Sequence, residues 1–328
     1  MKSRILSVAL APLALALAAP AASAQLPLTN TTPPPPTAAD ANLSVTLVSG
    51  ITDRKRRFVL QGGKLLVRGT IKPFVEGQTV SVDVFRGGKL IVQRSATVTK
   101  GKGGAGQFSV LLGGRKPGVY FVRAHHDATA EQKAGTSARQ RFNAIAAKVR
   151  GRQAVRLLQI ALRRLGYVTP LSGSRDAGTS RAVLAFRKVN RYSRNGYASP
   201  GIFRKLFNGS GTYHLRYPKA GTHVEADLSR QVLVLASKGR AVQIYTVSSG
   251  KPSTPTIQGK FKFYRRQPGT NSHGMVESTY FHGGYAIHGY ASVPATYPAS
   301  HGCIRVPIPD AFRIYHSIRL GETIYVYH

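Results

Sequence analysis

The hydrophobic period of this chain changes twice along its length. From Leu43 to about Phe142, apolar and polar residues alternate, as in Ser44-Val45-Thr46-Leu47-Val48 and Val80-Ser81-Val82-Asp83-Val84-Phe85. That period is the mark of strands with one buried face. Over residues 148–210 the spacing becomes helical, with Val155, Leu158, Leu162 and Leu165, then Ala182, Val183, Phe186 and Val189. Alternation returns in Val224-Glu225-Ala226-Asp227-Leu228, Gln231 to Leu235, Ala241 to Val247, Lys260 to Phe263 and Thr323 to Tyr327. No one sheet or bundle accommodates strands, helices and strands in that order, so a multidomain, mainly β chain is expected. A length of 328 residues allows two or three domains.

The first β-rich segment, residues 42–145, is predicted to be a β-sandwich of immunoglobulin-like type. Gly62-Gly63, Gly87-Gly88 and Gly113-Gly114 mark hairpins. The tandem His125-His126 occupies adjacent strand positions that face opposite sides, so it reads as solvated imidazoles and not as a metal site. Residues 148–210 are predicted as a small three-helix module. Gly166 stops its first helix, Ser199 and Pro200 open its third, and Gly209 ends it, with Ile202, Phe203 and Leu206 facing inward. Residues 213–328 are predicted to form a mostly antiparallel sheet, with a Pro-rich loop from Ser249 to Thr256 and a short helix from Asp310 to His316.

The N-terminus indicates where such a chain works. Lys2 and Arg4 precede an apolar run from Ile5 to Ala19, and Ala22-Ser23-Ala24 offers a cleavable exit, so residues 1–24 read as a secretory signal peptide. Residues 25–41, with TTPPPPTAADA, read as a Pro-rich linker. A secreted, periplasmic or cell-wall-associated protein is expected, with no transmembrane segment after signal cleavage. Forty-seven Lys and Arg against twelve Asp and Glu give a net charge of +35. Outside the cytoplasm such a charge meets anionic wall polymers and membrane headgroups, which argues against nucleic acid as a partner. A solvated coat of basic side chains is the plainer reading of the same charge.

One cysteine excludes an internal disulfide and a Cys-rich zinc module. That cysteine lies in the most informative stretch of the chain, where Ala286-Ile287-His288-Gly289 is followed by Ser300-His301-Gly302-Cys303-Ile304-Arg305. A free thiol titrates near about 8.5, and an adjacent imidazole is expected to pull that value down and to take the proton. Each unit of depression corresponds to about 1.4 kcal/mol. Gly302 permits close backbone approach, so amides around Gly302 and Cys303 are expected to donate to a developing oxyanion. Together these groups have the chemistry of acyl transfer. A buried, inert cysteine and a zinc site built from His282, His288 and His301 are the alternatives.

Two resemblances follow from these residues. Gln159, Leu162, Leu165-Gly166-Tyr167, Gly178-Thr179, Ala182-Val183 and Phe186 resemble the peptidoglycan-binding module of bacterial wall enzymes; the segment carries 14 Lys and Arg against the single Asp176. The IHG and SHGCIR runs, with Asp227-Leu228-Ser229, Gln231, Ser249-Gly250-Lys251-Pro252, Gly259, Tyr280-Phe281 and Gly283-Gly284, resemble the YkuD-type catalytic domain of L,D-transpeptidases. This second resemblance covers most of residues 222–328 and implies a β-rich catalytic domain. It implies Cys303 as nucleophile, His288 as general base and the Gly289 carbonyl as the group orienting the imidazole; spacing alone does not rank His288 above His301. It leaves Ser300, His301, Gly302, Arg305 and Tyr280 to bind substrate or support the site, with Arg305 meeting a substrate carboxylate or a structural acid and Tyr280 and Phe281 in a lid or in the core. No metal or organic cofactor is required. The partner implied is the peptidoglycan stem peptide. Three functions stay open: a cross-linking acyltransferase, a carboxypeptidase-like hydrolase trimming stems, and a non-catalytic wall-binding protein.

Overall fold

A computed structural model describes residues 37–113 and 116–328 of the chain. The signal peptide read over residues 1–24, and the linker up to residue 36, lie outside the described residues.

The first segment comprises β1 (Asn42–Leu47), β2 (Ile51–Asp53), β3 (Arg56–Leu60), β4 (Leu65–Lys72), β5 (Thr79–Arg86), β6 (Lys89–Thr97), β7 (Thr99–Lys100), β8 (Gly106–Leu112), β9 (Gly118–His126), β10 (Gly135–Thr136) and β11 (Gln140–Ile145). One sheet has the order β1-β4-β8-β7, the other β2-β3-β11-β9-β5-β6, with β10 on β9. Leu65, Val67 and Ile71 of β4 are buried at every second position while Arg68 and Lys72 are exposed, and they share a core with Val82, Val84, Tyr120, Val122 and Phe142 of the other sheet. Two facing sheets with one core make a sandwich. Tyr120, near the start of β9, donates its hydroxyl to the Lys116 carbonyl at 2.6 Å.

Two expectations for this segment are corrected. Only Gly87-Gly88, at φ of 55° and 79°, closes a hairpin, between β5 and β6. Gly62-Gly63 and Gly113 instead stand where the chain crosses from one sheet to the other, because a turn signal marks a reversal without naming its partner. The histidine pair is not solvated either. His126 continues the inward row of Tyr120, Val122 and Ala124, is 5% exposed, and has Nδ1 at 3.1 Å from the Thr79 carbonyl, while half-buried His125 has Nδ1 at 3.0 Å from Asp83.

The helical segment forms α1 (Gly151–Arg164), α2 (Ala177–Val189) and α3 (Pro200–Phe207). Asp176 and Ser199 cap α2 and α3 by accepting from the Thr179 and Ile202 amides. Val155, Leu158, Leu162, Phe186 and Phe203 face inward as their spacing requires. Their core does not close on itself. It continues into Ile51, Phe58 and Leu60 of the sandwich and into Val232, Val234 and Ile244 of the C-terminal segment. Lys188 of α2 crosses the second boundary: it is 2% exposed and donates Nζ to the Gln231 and Val247 carbonyls and to Thr246 Oγ1.

The C-terminal segment comprises β12 (His223–Asp227), β13 (Val232–Ser237), β14 (Arg240–Thr246), β15 (Gly259–Lys262), β16 (Arg265–Thr270), β17 (Val276–His282), β18 (Tyr285–Tyr290), β19 (Ile304–Pro307), α4 (Ile308–Ser317) and β20 (Thr323–Tyr327). In place of one mostly antiparallel sheet there are two, ordered β14-β13-β12-β20-β15 and β16-β17-β18-β19. Each includes one parallel pair, β12 with β20 and β18 with β19. Val224, Leu233 and Leu235 of the first meet Phe281, Ile287, Ile304 and Val306 of the second, and Ala311 and Ile314 of α4 join the same core. The parallel β18–β19 pair matters most for chemistry, since its register sets His288 opposite Arg305. Among the described residues no helix is long and apolar enough to cross a membrane.

Candidate active site

His288, Ser300, His301, Cys303 and Arg305 line one cleft of about 350 Å³, together with His273, Met275 and Tyr290. The sequence runs around residues 288 and 303 therefore meet in space. His288 lies in β18, is 3% exposed, and has Nδ1 at 2.9 Å from the Gly289 carbonyl. A carbonyl only accepts, so Nδ1 carries the proton and Nε2 is left as the basic nitrogen. Gly289 is itself wedged against α4, where a Cβ would come within 2.8 Å of the Ala311 Cβ. The residue whose carbonyl meets Nδ1 is thus held by packing.

Cys303 immediately precedes β19 and is half-buried, with Sγ at 3.6 Å from the Gly284 carbonyl. Burial pushes its thiol above the ordinary value, opposed by the Ala286 amide and by Arg305. Burial likewise pushes His288 below the ordinary histidine value; its contact with Gly289 opposes the shift and Arg305 adds to it. Both shifts run against the expectation of a thiol pulled down by its neighbour: desolvation penalises the charged form, so burial favours the uncharged thiol and the uncharged imidazole.

The loop before Cys303 is braced from both ends. Ser300, 1% exposed, accepts from the Gly302 amide at 3.1 Å and donates to the Cys303 carbonyl at 2.5 Å. The Gly302 amide is therefore engaged, and of the two amides expected to face an oxyanion only that of Cys303 remains. Gly302 has φ of 120°, and a Cβ there would meet the Tyr285 ring at 2.8 Å, so only glycine fits. Thr256 donates to the Gly302 carbonyl at 2.7 Å while accepting from the Gly250 amide, and Gln231 holds Ser249 through both its amide oxygen and its amide nitrogen. The backbones of Ser248 and Arg305 bond each other reciprocally.

The remaining predicted residues separate. Arg305 stacks its guanidinium 4.0 Å from the Tyr290 ring centroid and donates to the Ala299 carbonyl; it makes no ion pair among the described residues, and its buried Nε has no partner. His301 is exposed, with Nε2 at 3.3 Å from Lys251 Nζ. Tyr280 does not line the cleft. It is 6% exposed in β17, hydrogen-bonded to Gln267 and covered by Arg265, and its neighbour Phe281 is core. His282, exposed and lying against Phe261, is outside the cleft as well. Among the described residues no three His, Cys, Asp or Glu side chains gather as a metal site would require. His273, Met275 and Tyr290 escaped the sequence reading, which had nothing local to distinguish them; the pairing of β17 with β18 brings in Met275 and the loop before it.

A two-sheet scaffold presenting one thiol in the same cleft as an imidazole of fixed tautomer has the parts that thiol-dependent acyl transfer requires. Residues 221–326 match the family model of the YkuD L,D-transpeptidase catalytic domain, and residues 151–206 match that of a peptidoglycan binding domain. The crystal structure of an L,D-transpeptidase from Xylanimonas cellulosilytica is 33% identical, over 53% of this chain and 92% of that chain, with a TM-score of 0.49. An L,D-transpeptidase from Stackebrandtia nassauensis is 19% identical over 54% of this chain and 91% of that one, at a TM-score of 0.34. The catalytic domain of an Enterococcus faecium L,D-transpeptidase is 24% identical over 33% of this chain and 98% of that one, at 0.29. No curated protein matches the chain. By its catalytic-domain match and by the identity it shares with the Xylanimonas protein over nearly all of that chain, this protein belongs to the L,D-transpeptidase family. A peptidoglycan-binding domain precedes the catalytic one.

Proposed function

We propose that the protein is an exported acyltransferase that cross-links peptidoglycan stem peptides through a thioester on Cys303. The observation that carries this reading is the meeting of Cys303 with His288, whose Nδ1 is committed to Gly289, in a single cleft. The scissile bond is the amide between a diaminopimelate-type residue and the terminal D-alanine. Sγ attacks its carbonyl carbon as His288 Nε2 takes the thiol proton. Because burial favours the uncharged form of each group, proton transfer accompanies attack and does not precede it. The Cys303 amide faces the developing oxyanion, Nε2 returns the proton to the leaving amine, and D-alanine departs from a thioester. An amine of a neighbouring stem then attacks that carbonyl and gives its proton to Nε2, which restores the thiol as the cross-link forms.

Arg305, with no acid of its own, receives a substrate carboxylate. The charge of the chain favours anionic wall polymers as a further partner. Arg54, Arg56 and Arg152 line a cleft of about 540 Å³ in which the one acid, Asp53, is already held by Arg156 and Gln153. Intact-mass measurement after incubation with a stem peptide tests the central claim. A covalent acyl adduct is expected on the wild type and none on Cys303→Ala; an unmodified wild type overturns the reading. Product analysis with and without an acceptor stem separates cross-linking from trimming.

A further inference from the structure

A second cleft, of about 570 Å³, lies where the peptidoglycan-binding domain meets the catalytic domain. Its floor is rigid: the Gly166 carbonyl accepts from the Ile244 amide, so the exit of α1 is joined to β14 at the edge of the catalytic sheet. Two acids and three arginines line it. Asp310 of α4 takes a bidentate pair from Arg181 of α2, at 2.8 and 3.1 Å. Asp176 accepts from the Thr179 amide, the Thr179 hydroxyl and the Ser172 hydroxyl. Both acids are therefore satisfied within the fold. Arg163 of α1 and Arg313 of α4 have neither an ion pair nor a side-chain hydrogen bond among the described residues.

Two further donors lie in the same cleft. Gly178 is in the first turn of α2, where N–H groups lack intrahelical acceptors and the helix dipole is positive. Thr169 lines the cleft at 7% exposed, and its Oγ1 has no hydrogen-bond partner. A buried hydroxyl left unpaired is destabilising, and a ligand oxygen would remove that cost.

We propose that this junction cleft is a second binding site, in which Arg163, Arg313 and the Thr169 hydroxyl hold the free carboxylate of a peptide that also carries an amine. Asp310 is neutralised by Arg181, but the partners of Asp176 are all uncharged, so its negative charge stays in the cleft: a phosphate polymer suits the arginines and is repelled by Asp176, whereas a zwitterionic peptide meets both charges. The volume fits a ligand of a few residues. Taking the proposed function as given, the ligand is a stem peptide other than the one at Cys303, so that two stems are held on one protein.

The test uses the full chain in its Cys303→Ala form, which no acylation can deplete, with titration calorimetry of a synthetic stem tetrapeptide. The equivalent bound at the junction is expected to weaken at least tenfold in R163A/R313A and in Thr169→Val, and when the probe is amidated at its C-terminus. Both arginines are exposed, and Thr169→Val keeps the side-chain shape, so each variant is expected to melt as the parent does. Unchanged affinity in R163A/R313A, equal binding of the amidated probe, or displacement of the peptide by linear polyphosphate overturns the proposal. The acyl adduct on Cys303 is read separately, so a catalytic site that fails leaves this result standing, and the reverse.

Discussion

Two groups of ionisable side chains are buried in the catalytic domain and are treated in opposite ways. Glu225 of β12, fully buried, accepts from the Arg216 amide at 3.1 Å, the Tyr217 amide at 2.8 Å and the Tyr327 hydroxyl, and lies 3.1 Å from His223 Nε2. Asp227, two residues on, accepts from the Arg230 amide and guanidinium and from the Tyr213 hydroxyl. Cys303 has only the Gly284 carbonyl and the Ala286 amide, and His288 only the Gly289 carbonyl. Burial with full satisfaction locks a strand in place. Burial with scant satisfaction favours the uncharged thiol and the uncharged imidazole and leaves Nε2 unengaged. The first arrangement is structural and the second is chemical.

The sharpest way to break this comparison is His288→Ala. Loss of a positioned base is expected to slow acylation by about a hundredfold to ten-thousandfold, measured as the rate of adduct appearance, with little change in melting temperature. The pH profile follows from the same burial. His288 lies below the ordinary histidine value and serves as base when neutral, so the acid limb of acylation is expected below pH about 6.5. Cys303 lies above the ordinary thiol value, so alkylation in the absence of substrate is expected to keep climbing beyond pH about 8.5. An acid limb above 7, or alkylation that plateaus near neutrality, would mean an ion pair at rest.

Glu225→Ala probes the other side. It strands a histidine nitrogen, two amides and a hydroxyl inside the sheet, and a loss of about 3–5 kcal/mol in denaturant unfolding is expected. Acylation per folded molecule is expected to stay at the wild-type rate. A fall in that rate with no loss of stability would move Glu225 into the chemistry and erase the distinction.

Lys188 stands between the two cases, fully buried and hydrogen-bonded but without a counter-charge. Burial, with Arg194 adding to it, brings it down to about 7. The unfolded value is near 10.4. Between these values the unfolded chain holds a proton that the folded chain has released, so stability rises with pH across the window and is lost as pH falls toward 7. The slope is up to about 1.4 kcal/mol per pH unit. Lys188→Met is expected to flatten it, measured as the difference in unfolding free energy between wild type and variant at pH 7.5 and 9.5.

What the sequence made readable follows from how far apart the interacting residues lie. The part of the cleft built from His288, Ser300, His301, Cys303 and Arg305 was readable because these residues fall in two short runs, 286–289 and 300–305, whose identities constrain one another; His273, Met275 and Tyr290 lie outside both. The helix ends at Gly166, Ser199 and Gly209 were readable for the same local reason. The two-sheet division of the catalytic domain was not, since alternation fixes which face of a strand is buried and leaves its partner open. Nor was the engagement of the Gly302 amide, which depends on Ser300 folding back, or the brace from Thr256, 46 residues away. Lys188 looked like one more charge in a basic helix; its burial depends on Thr246 and Val247 of a different domain.

The smallest effect is expected where the sequence left two histidines unranked. His301 is two residues from Cys303 in the chain, yet its ring is exposed and its Nε2 faces Lys251, a cation that already competes for the lone pair. His288 is distant in sequence, but the parallel β18–β19 pair brings it to the strand that follows Cys303, and its tautomer is fixed. Under iodoacetamide near neutral pH, His301→Ala is therefore expected to change the alkylation rate of Cys303 by less than about twofold, within what a rearranged exposed side chain produces. His288→Ala is expected to slow it markedly more. Equal slowing in the two variants would show that exposure does not disqualify an imidazole from serving this thiol, and the contrast between satisfied and unsatisfied burial would lose its chemical half.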